Sequence, residues 1–291
     1  MKKIINDPQA VVGEMLQGFV AAYPDAVQLL PDTTVVARKD APVLNKVGLV
    51  SGGGSGHEPA HAGYVGEGML DAAVAGEVFT SPTPDQVFEA IKAVDGGAGV
   101  LLIIKNYTGD VMNFEMAAEL AEAEGIDVAQ VIVNDDVAVE DSSFTTGRRG
   151  IAGTVFVHKI AGAKADQGAT LAEVKAVAEK TIQNVRSIGM AITPCIVPAA
   201  GTPSCFTLEE NEMEIGIGIH GEPGIERKKI GTADEIVDEL MQKLLEDIRL
   251  AKDDEVAVMV NGLGGTPEME LYIINRKVNE ILTVKGIRIH E

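Results

Sequence analysis

The feature that most constrains the fold is a regular alternation of strand-like and helix-like segments. Residues 100–104 read Val-Leu-Leu-Ile-Ile, apolar at both odd and even positions, which is typical of a strand covered on both faces. Apolar residues recur at helical spacing over 84–94 and 111–123. Two helix starts carry a Thr-x-x-Glu capping box, Thr170 with Glu173 and Thr232 with Glu235. This alternation predicts an α/β fold with helices on both faces of a largely parallel sheet.

A second structural unit begins near residue 185. We predict two domains, each with a mostly parallel or mixed sheet flanked by helices, over residues 1–185 and 186–291. Alternating apolar residues over 213–219 predict a strand that ends at His220. The chain closes on a strand-like piece at 287–289, an unusual place for a domain to stop.

Composition and charge exclude several classes of partner. The chain has 291 residues, 46% of them hydrophobic, and a formal net charge of −20. This charge repels nucleic acids and anionic membranes, so neither is expected as a direct partner. No signal-peptide stretch or run of about 18 apolar residues occurs, and we expect a cytoplasmic protein. Cys195 and Cys205 are expected to be free thiols in that compartment.

Three turns at strand ends are candidate ligand sites, at 51–57, 105–110 and 261–266. In parallel α/β sheets ligands bind beyond the carboxyl ends of the strands, and glycine lets backbone N–H groups approach a ligand. The turn at 51–57 has the richest chemistry, because it contains Gly54, Ser55, Gly56 and His57. The chain matches neither G-x-x-x-x-G-K-[ST] nor G-x-G-x-x-G. If the protein takes part in phosphoryl transfer, its phosphate donor is therefore expected on another chain.

Residues 57–61 read His-Glu-Pro-Ala-His and match the H-E-x-x-H zinc-protease pattern. That chemistry needs both histidines on one face of a continuous helix. Pro59 is tolerated only in the first turn of a helix, so His57 is expected at or before the cap. We therefore predict no metal site here, and His61 is expected to be an ordinary polar residue on the helix that Pro59 opens.

Other polar residues leave alternatives open on sequence alone. His220 is a competent nucleophile toward a carbonyl when neutral, although the pattern alone favours a structural role. Asp110 is either a proton acceptor at a strand end or a helix N-cap, and Lys105 either balances it or extends to solvent. The doublet Asp135–Asp136 fits a solvated loop and only weakly resembles a metal-binding doublet. The pair Arg148–Arg149 fits surface ion pairing, with contact to a phosphate or a partner as the alternative.

Four runs together resemble the dihydroxyacetone kinase family, specifically its substrate-binding K subunit. They are residues 49–59, 77–84, 102–110 and 218–224, and the resemblance extends over the whole chain. It implies a subunit of a phosphoenolpyruvate-dependent dihydroxyacetone kinase, which presents a hydroxyl of dihydroxyacetone for phosphorylation.

The resemblance also implies a role for each matching residue. His220 is similar to the histidine that adds to the ketone carbon as a covalent hemiaminal, and Asp110 to the base that takes the proton of the phosphorylated hydroxyl. His57 is similar to the residue that hydrogen-bonds the substrate and assists adduct formation, so the implied catalytic residues are His220, Asp110 and His57. The implied substrate-binding residues are Gly54, Ser55, Gly56, His57, Lys105 and Asp110.

The same resemblance implies a homodimer that binds no cofactor or metal itself. Its expected partner is an L subunit that carries the nucleotide (ADP/ATP) and Mg²⁺, recharged by a phosphotransferase protein. Family members continue beyond the equivalent of Glu291, so a C-terminal truncation is expected. Two alternatives remain: a K-like transcriptional co-activator that binds dihydroxyacetone, and a fragment of a single-chain ATP-dependent kinase. The joint presence of His57, Asp110 and His220 favours the enzyme.

Overall fold

The computed structural model describes residues 3–140, 146–201 and 206–290. Its α-helices are α1 Val11–Ala22, α2 Pro84–Val94, α3 Thr108–Ala123, α4 Thr154–Asp166, α5 Leu171–Asn184, α6 Ala233–Asp247 and α7 Glu268–Val284. Its strands are β1 Val27–Leu29, β2 Val35–Arg38, β3 Gly48–Ser55, β4 Ala72–Val78, β5 Val100–Lys105, β6 Val128–Val133, β7 Met190–Ala191, β8 Glu212–Ile215, β9 Glu226–Lys229, β10 Glu255–Val256 and β11 Arg288–Ile289.

The first six strands form one mixed sheet in the order β1-β2-β4-β3-β5-β6. Strands β4, β3, β5 and β6 are parallel, whereas β1 and β2 join antiparallel at one edge. The predicted α/β class is confirmed. The carboxyl ends of β4, β3 and β5 lie side by side at one edge of this sheet, where the sequence places its chemistry.

Helices cover the sheet on both faces, because the central strand β5 carries buried apolar side chains on both of its faces. Leu102 and Ile104 of β5 pack with α2 and α3, whereas Leu101 and Ile103 pack with α4 and α5. All six residues of β5 are buried. A strand with two buried faces requires a helix layer on each side, and this is the arrangement observed.

Two small sheets follow the large one in the chain. Strands β7, β8 and β9 form an antiparallel sheet, and β10 pairs with β11 in parallel beside α6 and α7. The six strands of the large sheet precede residue 185 and these five follow it, while the boundary itself stays a prediction. Among the described residues, no helix is both long and apolar enough to cross a membrane.

Three local predictions were wrong. The strand expected to end at His220 stops at Ile215, because Gly216 has a left-handed φ of 76° that turns the chain. Residues 51–55, expected to be a turn, continue β3. Pro59 opens no α-helix; a short 3₁₀ turn at Ala62–Tyr64 follows instead. Cys205 lies outside the described residues, so the state of the two thiols stays a prediction.

Candidate active site

Three adjacent strand ends and one loop bring the candidate residues together. His57 follows β3, Lys105 ends β5 and Phe79 follows β4. His220 comes from the loop between β8 and β9, far away in the chain. Its ring centroid lies 5.2 Å from that of His57 and 5.6 Å from that of Phe79. The structure therefore brings the sequence-predicted His57 and His220 into direct contact.

The pair formed by His57 and Lys105 is buried at the end of the sheet. His57 Nε2 lies 3.4 Å from Lys105 Nζ. Burial, and then the Lys105 cation, keep the pKa of His57 well below 6.5, so the ring is neutral at pH 7. If Lys105 donates as an ammonium, His57 Nε2 accepts and the ring proton is on Nδ1. That Nδ1 is buried and has no hydrogen-bond partner among the described residues.

Asp110 lies in the first turn of α3 and faces the same interior. It is not the N-cap, because the helix begins at Thr108 with Tyr107 as its cap residue. Both carboxylate oxygens are buried without a hydrogen-bond partner in the described part of the chain. Burial lowers the pKa of Lys105, and the negative charge of Asp110 opposes that shift. Lys105 therefore balances Asp110 rather than extending to solvent.

The glycine at position 53 makes room for these two charges. A Cβ on Gly53 would lie 2.7 Å from Lys105 Nζ and 3.4 Å from Asp110 Oδ2. Any side chain here would displace the lysine or the carboxylate from the strand end. Gly53 lies within the run 49–59 that resembles the family, but it was not among the predicted site residues.

The predicted lining residues Gly54, Ser55 and Gly56 are placed at the same strand end. A Cβ on Gly54 would lie 2.7 Å from the Phe79 backbone, and one on Gly56 would lie 2.7 Å from the Phe79 ring. Ser55 Oγ donates to the Gly76 carbonyl at 2.7 Å, which ties β3 to β4. The two glycines leave room for Phe79 to pack against His220. Contact of the three residues with substrate stays a prediction.

The imidazole of His220 is enclosed by rings and by one carboxylate. Its centroid lies 4.7 Å from that of Tyr107, and its Nδ1 lies 3.6 Å from Glu222 Oε1. Burial lowers the pKa of His220, and the Glu222 carboxylate opposes that shift. The ring is therefore neutral at pH 7, and its proton is favoured on Nδ1, facing the carboxylate. Nε2 is buried without a hydrogen-bond partner among the described residues.

The H-E-x-x-H pattern has a different structural role. His61 is buried, and its Nδ1 lies 3.1 Å from His158 Nε2 on α4. It does not lie on an α-helix, contrary to the prediction. In the ranges 3–140, 146–201 and 206–290, no group of three or more His, Cys, Asp or Glu side chains could bind a metal ion.

Sequence reasoning missed Phe79, Tyr107 and Glu222 as parts of the site. Phe79 has a left-handed φ of 58°, rare for a large residue and a signal visible only in the backbone. Glu222 lies two residues after His220, and that spacing was available in the sequence. Its carboxylate, with a pKa of about 2, is ionised. The third candidate turn, at 261–266, lies at the margin of the site. A Cβ on Gly264 would be 3.5 Å from the Glu58 carbonyl.

The arrangement combines two chemical functions. The neutral imidazole of His220 lies beside an uncharged His57, and its Nε2 accepts no hydrogen bond from any described residue, so it is suited to adding to an electrophilic carbon. The buried carboxylate of Asp110 is suited to accepting a proton.

Nearly the whole chain is similar to known proteins of one family. Residues 17–291 match the Dak1 domain model. The chain is 56% identical over 291 residues to the dihydroxyacetone-binding subunit of a PTS-dependent dihydroxyacetone kinase from Listeria innocua, covering 100% of this chain and 88% of that protein.

Two solved structures share the fold. The crystal structure of the dihydroxyacetone kinase of C. freundii superimposes with a TM-score of 0.87 at 39% identity, over 98% of this chain and 52% of that one. This chain thus spans about half the length of that kinase. A dihydroxyacetone kinase operon co-activator superimposes with a TM-score of 0.88 at 38% identity, over 95% of this chain and 85% of that one. The chain belongs to the Dak1-domain family of dihydroxyacetone kinase K subunits.

Proposed function

We propose that this chain is the dihydroxyacetone-binding subunit of a phosphotransferase-dependent dihydroxyacetone kinase. The observation that carries the proposal is the neutral, buried His220, which lies beside His57 in the same cluster as Asp110. Its Nε2 has no hydrogen-bond partner within the part of the chain that the structure describes. The 56% identity to the Listeria subunit exceeds the 39% identity to the C. freundii kinase, which favours the phosphotransferase-dependent type.

The first step is addition of His220 to the substrate ketone. The Nε2 lone pair forms a bond to the carbonyl carbon, and the carbonyl electron pair moves to oxygen. The oxygen gains one proton and the imidazole loses the one on Nδ1, so the hemiaminal contains every atom of the substrate. Glu222 is placed to receive the imidazole proton at 3.6 Å, and the Nδ1–H of His57 is a donor for the oxygen.

The second step is phosphorylation of a hydroxyl of the bound substrate. Asp110 accepts the hydroxyl proton as that oxygen attacks the transferred phosphoryl group. Its carboxylate oxygens have no hydrogen-bond partner among the described residues, so both are available to a substrate hydroxyl. The charge of Asp110 in turn opposes the lowering of the Lys105 pKa by burial, so the two groups compensate each other at this strand end.

The phosphoryl donor is proposed to belong to a partner. The sequence contains no P-loop pattern, and its net charge of −20 does not favour a polyphosphate outside a dedicated site. An L subunit with bound nucleotide and Mg²⁺ would supply the phosphoryl group at the end of the sheet where Asp110 lies.

Reconstitution tests the kinase function. The protein is mixed with L and M subunits, a general phosphotransferase system and phosphoenolpyruvate, and dihydroxyacetone phosphate is measured. Product that depends on this chain supports the proposal. No product with partners that are competent with another K subunit would contradict it.

Intact-protein mass spectrometry tests the covalent step separately. Dihydroxyacetone should add its whole mass without loss of water, whereas a Schiff base on Lys105 would lose water and be trapped by borohydride. His220→Ala should abolish the adduct, and His57→Ala should weaken it. Glycerol has no carbonyl and serves as the matched ligand control. Substrate bound normally but not attached to His220 would contradict the covalent assignment.

A transcriptional co-activator is the second candidate, because a co-activator structure superimposes as well as the kinase structure. One experiment, reconstitution with L and M subunits, distinguishes the two functions. A co-activator would bind dihydroxyacetone yet give no phosphorylated product with competent L and M subunits.

A further inference from the structure

Two charged motifs that the proposed function does not use are buried against each other. Asp136 is fully buried and Arg149 is 1% exposed, although a solvated loop and a surface ion pair were expected. Arg149 Nε donates to Asp136 Oδ2 at 2.8 Å, and its Nη2 lies 2.6 Å from the same oxygen. A buried ion pair is costly to desolvate and adds little net stability. Stability alone therefore does not explain why this pair is present.

Asp136 is a rigid support for the arginine. Its backbone N–H donates to the Arg149 carbonyl at 3.1 Å, and its Oδ1 accepts the Ala138 N–H at 2.9 Å. The next residue, Val137, donates to the Ser187 carbonyl at 2.9 Å. The carboxylate that orients Arg149 is therefore fixed by the main chain on both sides.

The other side of the guanidinium contacts the loop that carries His220, residues 216–222, here called the histidine loop. Arg149 Nη2 donates to the Gly216 carbonyl at 2.7 Å, where the chain leaves β8. Arg149 Nη1 lies 3.0 Å from the position that a Cβ on Gly218 would occupy. The Glu222 carboxylate would overlap that same position, so the two groups lie within about 5 Å of each other.

Glu222 transmits this contact to His220. Its Oε2 accepts the His220 backbone N–H at 2.9 Å, and its Oε1 lies 3.6 Å from His220 Nδ1. Burial raises the pKa of Tyr107 well above 10; the negative charge of Glu222 adds to the shift and the positive charge of Arg149 opposes it. The aromatic wall of His220 therefore lies in the field of both groups.

We propose that Arg149, supported by Asp136, is a positioning residue that fixes the histidine loop and thereby the tautomer and orientation of the His220 imidazole. This inference deepens the proposed function, because the reactive nitrogen is useful only if Nδ1 keeps its proton toward Glu222. Arginine suits the position because its planar fork bonds the carboxylate and the carbonyl at once, which a lysine ammonium does less well.

The test compares three variants with the adjacent arginine as control. Arg149→Met removes the fork, Arg149→Lys keeps the charge, and the double variant Asp136→Asn with Arg149→Met avoids an unpaired buried carboxylate. Arg148→Met is the matched control, because the Arg148 guanidinium is paired with Asp247 on α6.

Two readouts are measured on each full-length variant, with thermal unfolding to confirm folding. Histidine ¹⁵N NMR of the protein without substrate reports the tautomer of His220, and mass spectrometry reports the rate of adduct formation with dihydroxyacetone. We expect Arg149→Met and the double variant to mix the tautomers and to slow the adduct by about 10- to 100-fold. Arg149→Lys should recover part of both, and Arg148→Met should change neither.

The outcomes separate this inference from the proposed function. If Arg149 variants keep the wild-type tautomer and the adduct rate of Arg148→Met, the positioning role is wrong. If wild type forms no adduct at all, the covalent step is wrong, and the NMR comparison still decides the positioning role. Should the methionine variants fail to fold, Arg149→Lys decides, because wild-type values for both readouts in that variant would overturn the inference.

Discussion

Glu222 contacts His220 twice, through the backbone N–H at 2.9 Å and through ring Nδ1 at 3.6 Å. One carboxylate thus sets both the position of the main chain and the protonation of the ring. A carboxylate that orients a catalytic imidazole in this way holds the proton on one ring nitrogen and leaves the other nitrogen available to react.

The first prediction concerns the pH dependence of adduct formation. Only the neutral imidazole adds to the ketone, and burial puts the pKa of His220 below 6.5, so the rate should be flat above that pH and fall in acid. In Glu222→Gln the carboxylate that opposes this lowering is gone. The acid limb should therefore shift to lower pH, while the plateau rate falls on the order of 10²-fold as the proton acceptor is lost.

Glu214→Gln is the control for this experiment. Glu214 is also a buried carboxylate and accepts the Gly224 N–H at 3.1 Å, but its ion pair is with Arg227 rather than with His220. Its variant should keep the wild-type pH profile. An acid limb that stays in place in Glu222→Gln would show that the carboxylate does not act on the ring.

The second prediction separates the two chemical steps. Asp110→Asn should still form the adduct, whereas turnover with L and M subunits should fall by roughly 10²- to 10⁴-fold, since the base is removed. Asp85→Asn is a matched control, because Asp85 lies in the first turn of α2 and is exposed. Normal turnover in Asp110→Asn would limit Asp110 to a favourable charge at the start of α3.

The third prediction uses the space beside the histidine loop. A Cβ on Gly218 would overlap the Glu222 carboxylate, so Gly218→Ala should displace Glu222 and slow adduct formation by about 10-fold or more. Gly265→Ala is the control, since no atom of the described ranges lies within 4 Å of a Cβ there. Equal rates in the two variants would show that the loop tolerates the shift of Glu222.

The fourth prediction concerns stability. Arg148 and then Arg186 lower the pKa of Asp247 to about 2, so its ion pairs stabilise the fold above the unfolded pKa and the effect is lost as pH falls through about 4 to 2. Asp247→Asn should lower the free energy of unfolding at pH 7 by about 1 kcal/mol, because the pairs are partly exposed.

The measurement for Asp247 is chemical denaturation at several pH values, with Asp25→Asn at an exposed position as control. The difference between wild type and Asp247→Asn should shrink toward pH 2. A difference that does not depend on pH would mean that packing, not charge, accounts for it.

Local sequence signals predicted much of the large sheet and its helices. The capping boxes at Thr170 and Thr232 are present, and β5 has two buried faces as its apolar run required. Helix α2 begins at Pro84 as expected. These features depend on residues close together in the chain, so a single sequence carries enough information to place them.

Contacts between distant segments were not predictable in the same way. Asp136 and Arg149 each had an ordinary surface explanation, and Glu222 was assigned no role. Only the fold places an arginine at residue 149 beneath a loop that begins at residue 216. The strand before His220 was predicted too long because alternation of apolar residues continued past Gly216, whereas the left-handed φ there ended it.

The glycine run of β3 has a consequence for how this protein can change over time. A Cβ would meet the Val74 carbonyl at position 52, the Lys105 ammonium at position 53 and the Thr80 backbone N–H at position 54. Each collision involves a different neighbouring segment, and two of the three are with main-chain atoms that no substitution can shorten. A compensating mutation for one position therefore does nothing for the next. We therefore expect very few substitutions to be tolerated along this segment. In homologues that act on other substrates, the change in specificity should come from substitutions in the surrounding rings and loops.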